Sequence, residues 1–175
     1  MADEVSNPII DFLDGKKIAY RIKEGGCWNH RIINFSYTGV NADIECLVHY
    51  SENLSDYTIF GMTGNNIPKG KSQEVMKVAN FANLKSLYTT MIINEETNIF
   101  WTRCTITSKD VISTDIFNRM VNNVCLMYDD FIPLIMKVIY ADNTGEEVIS
   151  NYLQSLKKDE SETSSPKSVS FTGYE

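Results

Sequence analysis

Four runs of alternating apolar and polar residues follow one another between residues 17 and 62. They are Lys17–Lys23 (Ile18, Tyr20, Ile22), Arg31–Tyr37 (Ile33, Phe35, Tyr37), Ile44–Tyr50 (Ile44, Cys46, Val48, Tyr50) and Tyr57–Met62. A period of two puts one set of side chains on each face of a strand. The breaks between the runs are the Gly25-Gly26 segment, the turn-prone Gly39-Val40-Asn41-Ala42-Asp43, and the polar stretch Ser51–Asp56. A parallel pair needs a crossover of about a dozen residues or more, so breaks this short predict an antiparallel sheet.

Two further strands are expected from Tyr88–Asn94 and Asn98–Ile106, a hairpin across Glu95-Glu96-Thr97 in which Phe100, Cys104 and Ile106 lie opposite Trp101 and Arg103. Helical signals surround the strands. Asn7 can cap a short helix that has Pro8 at its first position and stops at Gly15. Ser72 can cap a second, with Val75, Val78, Ala79 and Ala82 recurring at three and four residues. The strongest helical pattern starts at Thr114-Asp115 and places Phe117, Met120, Val121, Val124, Tyr128, Phe131, Ile135 and Ile139 near one face, running to about Tyr140. Pro133 lies inside it and predicts a kink near Asp129, where a carbonyl loses its donor. Thr144-Gly145-Glu146-Glu147 has capping-box spacing and opens a last helix to about Lys158. The fold class expected is therefore α+β: an antiparallel sheet of five to six strands with helices packed on it. A single domain over 1–158 is followed by an acidic, Ser-rich tail, 159–175, too poor in apolar area to order by itself.

At 175 residues the chain suits one domain with one core. Sixteen basic against 23 acidic residues give a net charge of −7, the wrong sign for binding nucleic acid or an anionic membrane. The first residues lack the basic start and apolar run of a signal peptide, and no stretch approaches the ~18 apolar residues of a membrane span, which predicts a cytoplasmic protein. In that compartment Cys27, Cys46, Cys104 and Cys125, with no Cys-x-x-Cys pair, read as small apolar residues.

Candidate chemistry is sparse. Gly64-Asn65-Asn66-Ile67-Pro68-Lys69-Gly70-Lys71-Ser72 sits between a strand and a helix as a phosphate-binding loop does, and a nucleotide-binding or hydrolytic enzyme would centre on Lys71 and Ser72. The first glycine is one residue too far from the Gly-Lys-Ser, Pro68 lacks the N–H that such a loop needs, and the sheet is antiparallel. Cys27-x-x-His30 and Cys46-x-x-His49 offer tetrahedral zinc ligands, the basis of a zinc-stabilised adaptor. Residues three apart in a strand point to opposite faces, so Cys46 and His49 should diverge. Those two histidines are also the only ones that could serve as a base beside a Cys or Ser nucleophile. Asp129-Asp130 and Glu146-Glu147 are neighbours on helices and read as solvated caps or faces. Among the strand aromatics, Phe60, Trp101 and Tyr57, like Trp28, suit a core more often than a surface. The expectation is no catalytic residue, no metal and no cofactor.

One sheet face must bury the stripe of the long helix, Phe117, Met120, Val124, Tyr128 and Phe131. The opposite face, with Leu47, Phe60, Met62, Trp101 and Arg103, is then free for a protein partner.

The whole order resembles the YbjN family, within the type III secretion chaperone-like fold. Three stretches carry the likeness: Ile67–Val75 with Ala79-Asn80-Phe81-Ala82-Asn83; the hairpin Thr90–Ile106; and Asp129–Tyr140 followed by Thr144–Ile149. They cover about residues 9 to 153. The strand Lys17–Lys23 and the Gly-Gly-Cys-Trp segment after it depart from the usual pattern. The resemblance implies a non-enzymatic, often dimeric binding domain described loosely as a sensory transduction regulator, in a fold whose acidic chaperones hold extended client segments. It supplies no catalytic residues.

Overall fold

The computed structural model describes residues 7–23, 30–51 and 56–163, with only the backbone path at residues 30 and 159–163. The Gly25-Gly26-Cys27-Trp28 segment and residues 164–175 lie outside the described residues. The order is α1 (Pro8–Gly15), β1 (Tyr20–Lys23), β2 (His30–Thr38), β3 (Asp43–Ser51), β4 (Asp56–Met62), α2 (Ser72–Lys85), β5 (Thr90–Asn94), β6 (Ile99–Thr107), α3 (Thr114–Tyr140) and α4 (Gly145–Thr163). The six strands form one sheet in the order β1-β2-β3-β4-β6-β5, every pair antiparallel, so the class expected from the alternation stands.

Ile33, Phe35, Ile44, Cys46, Val48, Tyr57, Ile59, Phe100 and Cys104 line the covered face of the sheet and are buried. Over them lies α3, which contacts β6, β4 and β3. It comes close because β4 carries Gly61 there: a Cβ at that position would stand 2.7 Å from Val124 Cγ1. Thr102, fully buried beside it, donates its hydroxyl to the Val124 carbonyl at 2.9 Å. Tyr128 stacks on Phe100 with ring centroids 5.4 Å apart, and its hydroxyl bonds Thr63 Oγ1 at 2.8 Å. The expected stripe divides along its length. Met120, Val124 and Tyr128 serve the sheet, whereas Phe117 packs edge-on against Phe12 of α1 and Phe131 against Phe81 of α2 and Tyr152 of α4.

Four local expectations need correction. β1 starts at Tyr20 and not Lys17, because the end of α1 uses the intervening residues: Lys17 adopts φ 56° and the Ile18 N–H returns to the Leu13 carbonyl at 2.8 Å. Ser72 is the first helical residue of α2 and makes no cap; Lys71 precedes it with helical backbone and no side-chain cap bond. The last helix continues to Thr163, five residues past Lys158. The fourth is the solvated-face reading of Asp129, whose carbonyl also lies one turn before Pro133 in a helix that, as expected, the proline does not stop. α3 runs unbroken through Pro133, and the Asp129 carbonyl, which would have received the missing N–H, accepts instead from Asn41 Nδ2 at 3.0 Å.

Asp129 is not a solvated face residue: it is 4% exposed, and its carboxylate accepts the backbone N–H groups of Val40, Asn41 and Ala42 at 2.8, 2.8 and 3.0 Å. The β2–β3 turn is thereby clamped to the middle of α3. Gly39 admits this, since a Cβ there would collide with the carboxylate.

The remaining joints are local. Thr144 and Glu147 form the expected reciprocal cap of α4, at 2.8 and 3.2 Å. Gly145 sits against α2, where its N–H donates to Glu74 at 2.8 Å and a Cβ would meet the Glu74 carbonyl at 2.5 Å. Asn83 at the end of α2 pairs with both backbone groups of Met91, accepting at 2.6 Å and donating at 3.1 Å. That occupies part of the free edge of β5, an edge otherwise open to further strand pairing.

Candidate protein-binding face

The strand register places the five residues singled out in the sequence on the uncovered side. Leu47, Phe60 and Arg103 stand in one cross-strand row, Leu47 opposite Phe60 and Phe60 opposite Arg103. Met62 is two residues along from Phe60, paired with Glu45, and Trp101 is two residues from Arg103, paired with Ile92. Their inward neighbours Val48, Ile59, Gly61, Thr102 and Cys104 are all buried, while Leu47, Phe60, Met62 and Trp101 are half-exposed and Arg103 is exposed. Tyr57, a candidate surface aromatic, faces the other way and is fully buried. Trp28 lies outside the described residues.

α3 packs on the sheet from the opposite side, against Gly61 and Thr102, and among the described residues the side chains of this face stay in part exposed. Around the apolar centre, His49 presents its ring edge-to-face with Phe60 at 5.3 Å, and the hydroxyls of Thr58 and Thr105 are 3.1 Å apart. Toward β1 the face dips into an open groove of about 500 Å³ lined by Arg21, Asn34, Ser36, Glu45 and Met62. Asn34 Nδ2 donates to Glu45 there at 2.6 Å. Outward-facing charges balance: Arg21, Lys23 and Arg103 against Asp43, Glu45 and Asp56, although the chain carries −7. The indole N–H of Trp101 is enclosed and meets no acceptor among the described residues. A donor left so costs about 1–3 kcal/mol.

A trio of aromatic, Met and Arg side chains is what the desolvated centre of a protein interface is enriched in. Six strands about 4.8 Å apart and, at four to nine residues, about 24 Å long on average give a face of roughly 600–700 Å² in plan, the same order as the ~800 Å² one partner gives to a standard interface.

The rival chemistries have a different geometry. Cys46 points into the core, where its Sγ lies 3.4 Å from Cys125 Sγ, and His49 points out, so the pair does diverge. The bond to Cys125, together with burial, pushes the Cys46 thiol far up. Cys27 and the His30 side chain lie outside the description, and among the described residues no three His, Cys, Asp or Glu side chains gather around a metal position. In the Gly64–Ser72 loop, the Ile67 N–H is spent on the Asn98 carbonyl at 2.7 Å and the Lys71 N–H on the Pro68 carbonyl at 3.0 Å. Lys71 extends its ammonium to Asp142 beyond α3. No described helix is long and apolar enough to cross a membrane.

A second surface was not read from the sequence. Leu87, Tyr88 and Leu126, 90%, 72% and 51% exposed, surround a cleft of about 430 Å³ between the end of α2, α3 and α4, together with Asp130, Tyr152 and Leu156. Burial and the neighbouring Asp129 raise the Asp130 carboxyl above its ordinary value. The available signal was Leu126, an apolar residue off the core stripe of α3, and Leu84, Leu87 and Tyr88, an apolar cluster that reads as the approach to a strand.

No family model and no characterised protein matches the sequence. Two solved structures are similar in fold. YbjN from E. coli, a proposed transcription regulator, aligns over 71% of this chain and 85% of its own at 8% identity, with a TM-score of 0.49. A chain of the HopA1–SchA chaperone–effector complex aligns over 69% and 87% at 9% identity, with a TM-score of 0.46. These are the two groups that the sequence resemblance raised, and at such identity the likeness concerns chain path alone.

Proposed function

We propose that this protein is a non-enzymatic, cytoplasmic protein-binding domain of chaperone-like or regulatory type, which uses the open sheet face and self-associates through it as a homodimer. The carrying observation is the open face itself, with Leu47, Met62, Trp101 and Arg103 grouped around Phe60 while, among the described residues, α3 packs on the other side. Balanced charge on this face lets a second acidic copy approach where like charge would otherwise repel it. A two-fold axis would bring the same patch onto itself, apolar centre to apolar centre.

The test is a double substitution, Leu47→Asp with Phe60→Asp. Both side chains are half-exposed, so the fold should hold. Sedimentation equilibrium should give twice 19.9 kDa for the wild type and 19.9 kDa for the variant. Capture from the native cytoplasm should retain a protein on the wild type that the variant loses. A wild type that stays monomeric and captures the same proteins as the variant would overturn the reading.

A further inference from the structure

The cleft between α2, α3 and α4 shares no lining residue with the open sheet face. Its apolar lining extends through Tyr88 and Asn123 into an adjoining hollow of about 260 Å³ floored by Ile106, Ile116 and Met120. Exposed apolar surface this continuous is uncommon on a monomer unless something covers it. The cleft also holds a charge: Asp130 is exposed, and among the described residues no Lys or Arg makes an ion pair with it. Lys85 at the rim has its ammonium over the Phe81 ring instead, 5.5 Å from the centroid.

One wall of the cleft belongs to α4, through Tyr152 and Leu156, and α4 leads directly to residues 164–175. At 1.5 Å per helical residue Thr163 is about 10 Å beyond Leu156. The twelve residues that follow it in the sequence could span up to ~40 Å if extended. Pro166 disfavours continued helix for its predecessor and suits a change of direction just there. Coming back along α4, the segment would then bring Lys167, Val169 and Phe171 past the cleft, all three on one side of an extended chain. Lys167 is the only cation in the segment and Val169, Phe171 and Tyr174 its only large apolar residues, a pairing that matches one carboxylate in an apolar hollow.

We infer that residues 166–174 of the same chain dock in this cleft, with Phe171 among Leu87, Tyr88, Leu126 and Leu156 and Lys167 at Asp130. The tether does much of the work. A short linker holds its ligand at an effective concentration on the order of 1 mM, so a contact as weak as about 0.1 mM is occupied roughly ten to one.

The experiment uses the full chain and follows chymotryptic cleavage after Phe171 by mass spectrometry, in wild type and in Leu126→Asp/Leu156→Asp. Both substituted side chains are solvent-exposed, and an unchanged melting midpoint verifies the fold. The wild type should be cut about tenfold more slowly than the variant, and Lys167→Glu should lie between them. Phe171→Asp, a change outside the folded core, should raise binding of an apolar fluorescent dye several-fold. Equal cleavage rates in wild type and cleft variant would overturn the inference. So would protection that grows with protein concentration, since the segment would then occupy a second copy.

Discussion

Removing the carboxylate of Asp129 tests how the sheet is locked to its covering helix. The side chain accepts three backbone N–H groups from the β2–β3 turn at 2.8–3.0 Å. A hydrogen bond to a charged acceptor is worth about 1.5–3 kcal/mol when fully buried, and less here because the turn at Val40 and Asn41 can be rehydrated. Taking about 1 kcal/mol for each, Asp129→Ala should lose about 3 kcal/mol. Asp129→Asn keeps one acceptor, able to serve Asn41 and Ala42, but turns an amide donor toward the Val40 N–H, so about 1–2 kcal/mol is expected. For a chain of 175 residues the alanine variant should melt about 6–12 °C lower. Thermal and urea unfolding at neutral pH measure this. A loss below about 0.5 kcal/mol for Asp129→Ala, inside the range of an ordinary surface change, would refute the clamp. So would an asparagine as damaging as the alanine. A cycle isolates the second half of the contact: Asn41→Ala should cost about 1 kcal/mol beside Pro133 and clearly less beside Pro133→Ala, where the restored N–H at 133 reaches the Asp129 carbonyl itself.

Three further outcomes follow from the packing. Gly61→Ala should lose about 1–3 kcal/mol by forcing a methyl against Val124, and Val124→Ala in the same chain should recover part of it, read from the coupling in urea unfolding. Glu74 is held below its ordinary 4.5 by the Gly145 N–H and Lys77, and Glu147 below 4.5 by the Thr144 N–H and hydroxyl. Their stabilisation is therefore present above pH 4.5 and lost as pH falls through the lowered folded values, so melting midpoints should fall in acid less steeply for Glu74→Gln than for wild type. Cys46, Cys104 and Cys125 are buried, so their reaction with a thiol reagent should proceed at the rate of global opening and slow when the protein is stabilised.

The sheet was legible because its strands alternate cleanly and are joined too closely for any other pairing. Even the open face could be read, since period two assigns Leu47 and Phe60 to the side opposite Val48 and Ile59. What could not be read is long-range. Asp129 meets a turn 87 to 89 residues away, and only the folded arrangement shows that its carboxylate, and the carbonyl freed by Pro133, have partners there. The same holds for Cys46 against Cys125 and for Phe131, whose place on the α3 stripe fits equally a sheet below or helices beside it. The cleft went unseen because Leu87 and Tyr88 follow a helix and precede a strand, a position that composition alone cannot separate from either.

Radical oxidation of Met62 and Trp101 in the purified protein, followed across a dilution series alongside the solution mass, bears most directly on the open face. Both side chains should oxidise readily in dilute protein and become protected over the concentration range in which the mass doubles. A mass that doubles with their oxidation unchanged would place association elsewhere on the molecule and contradict the account.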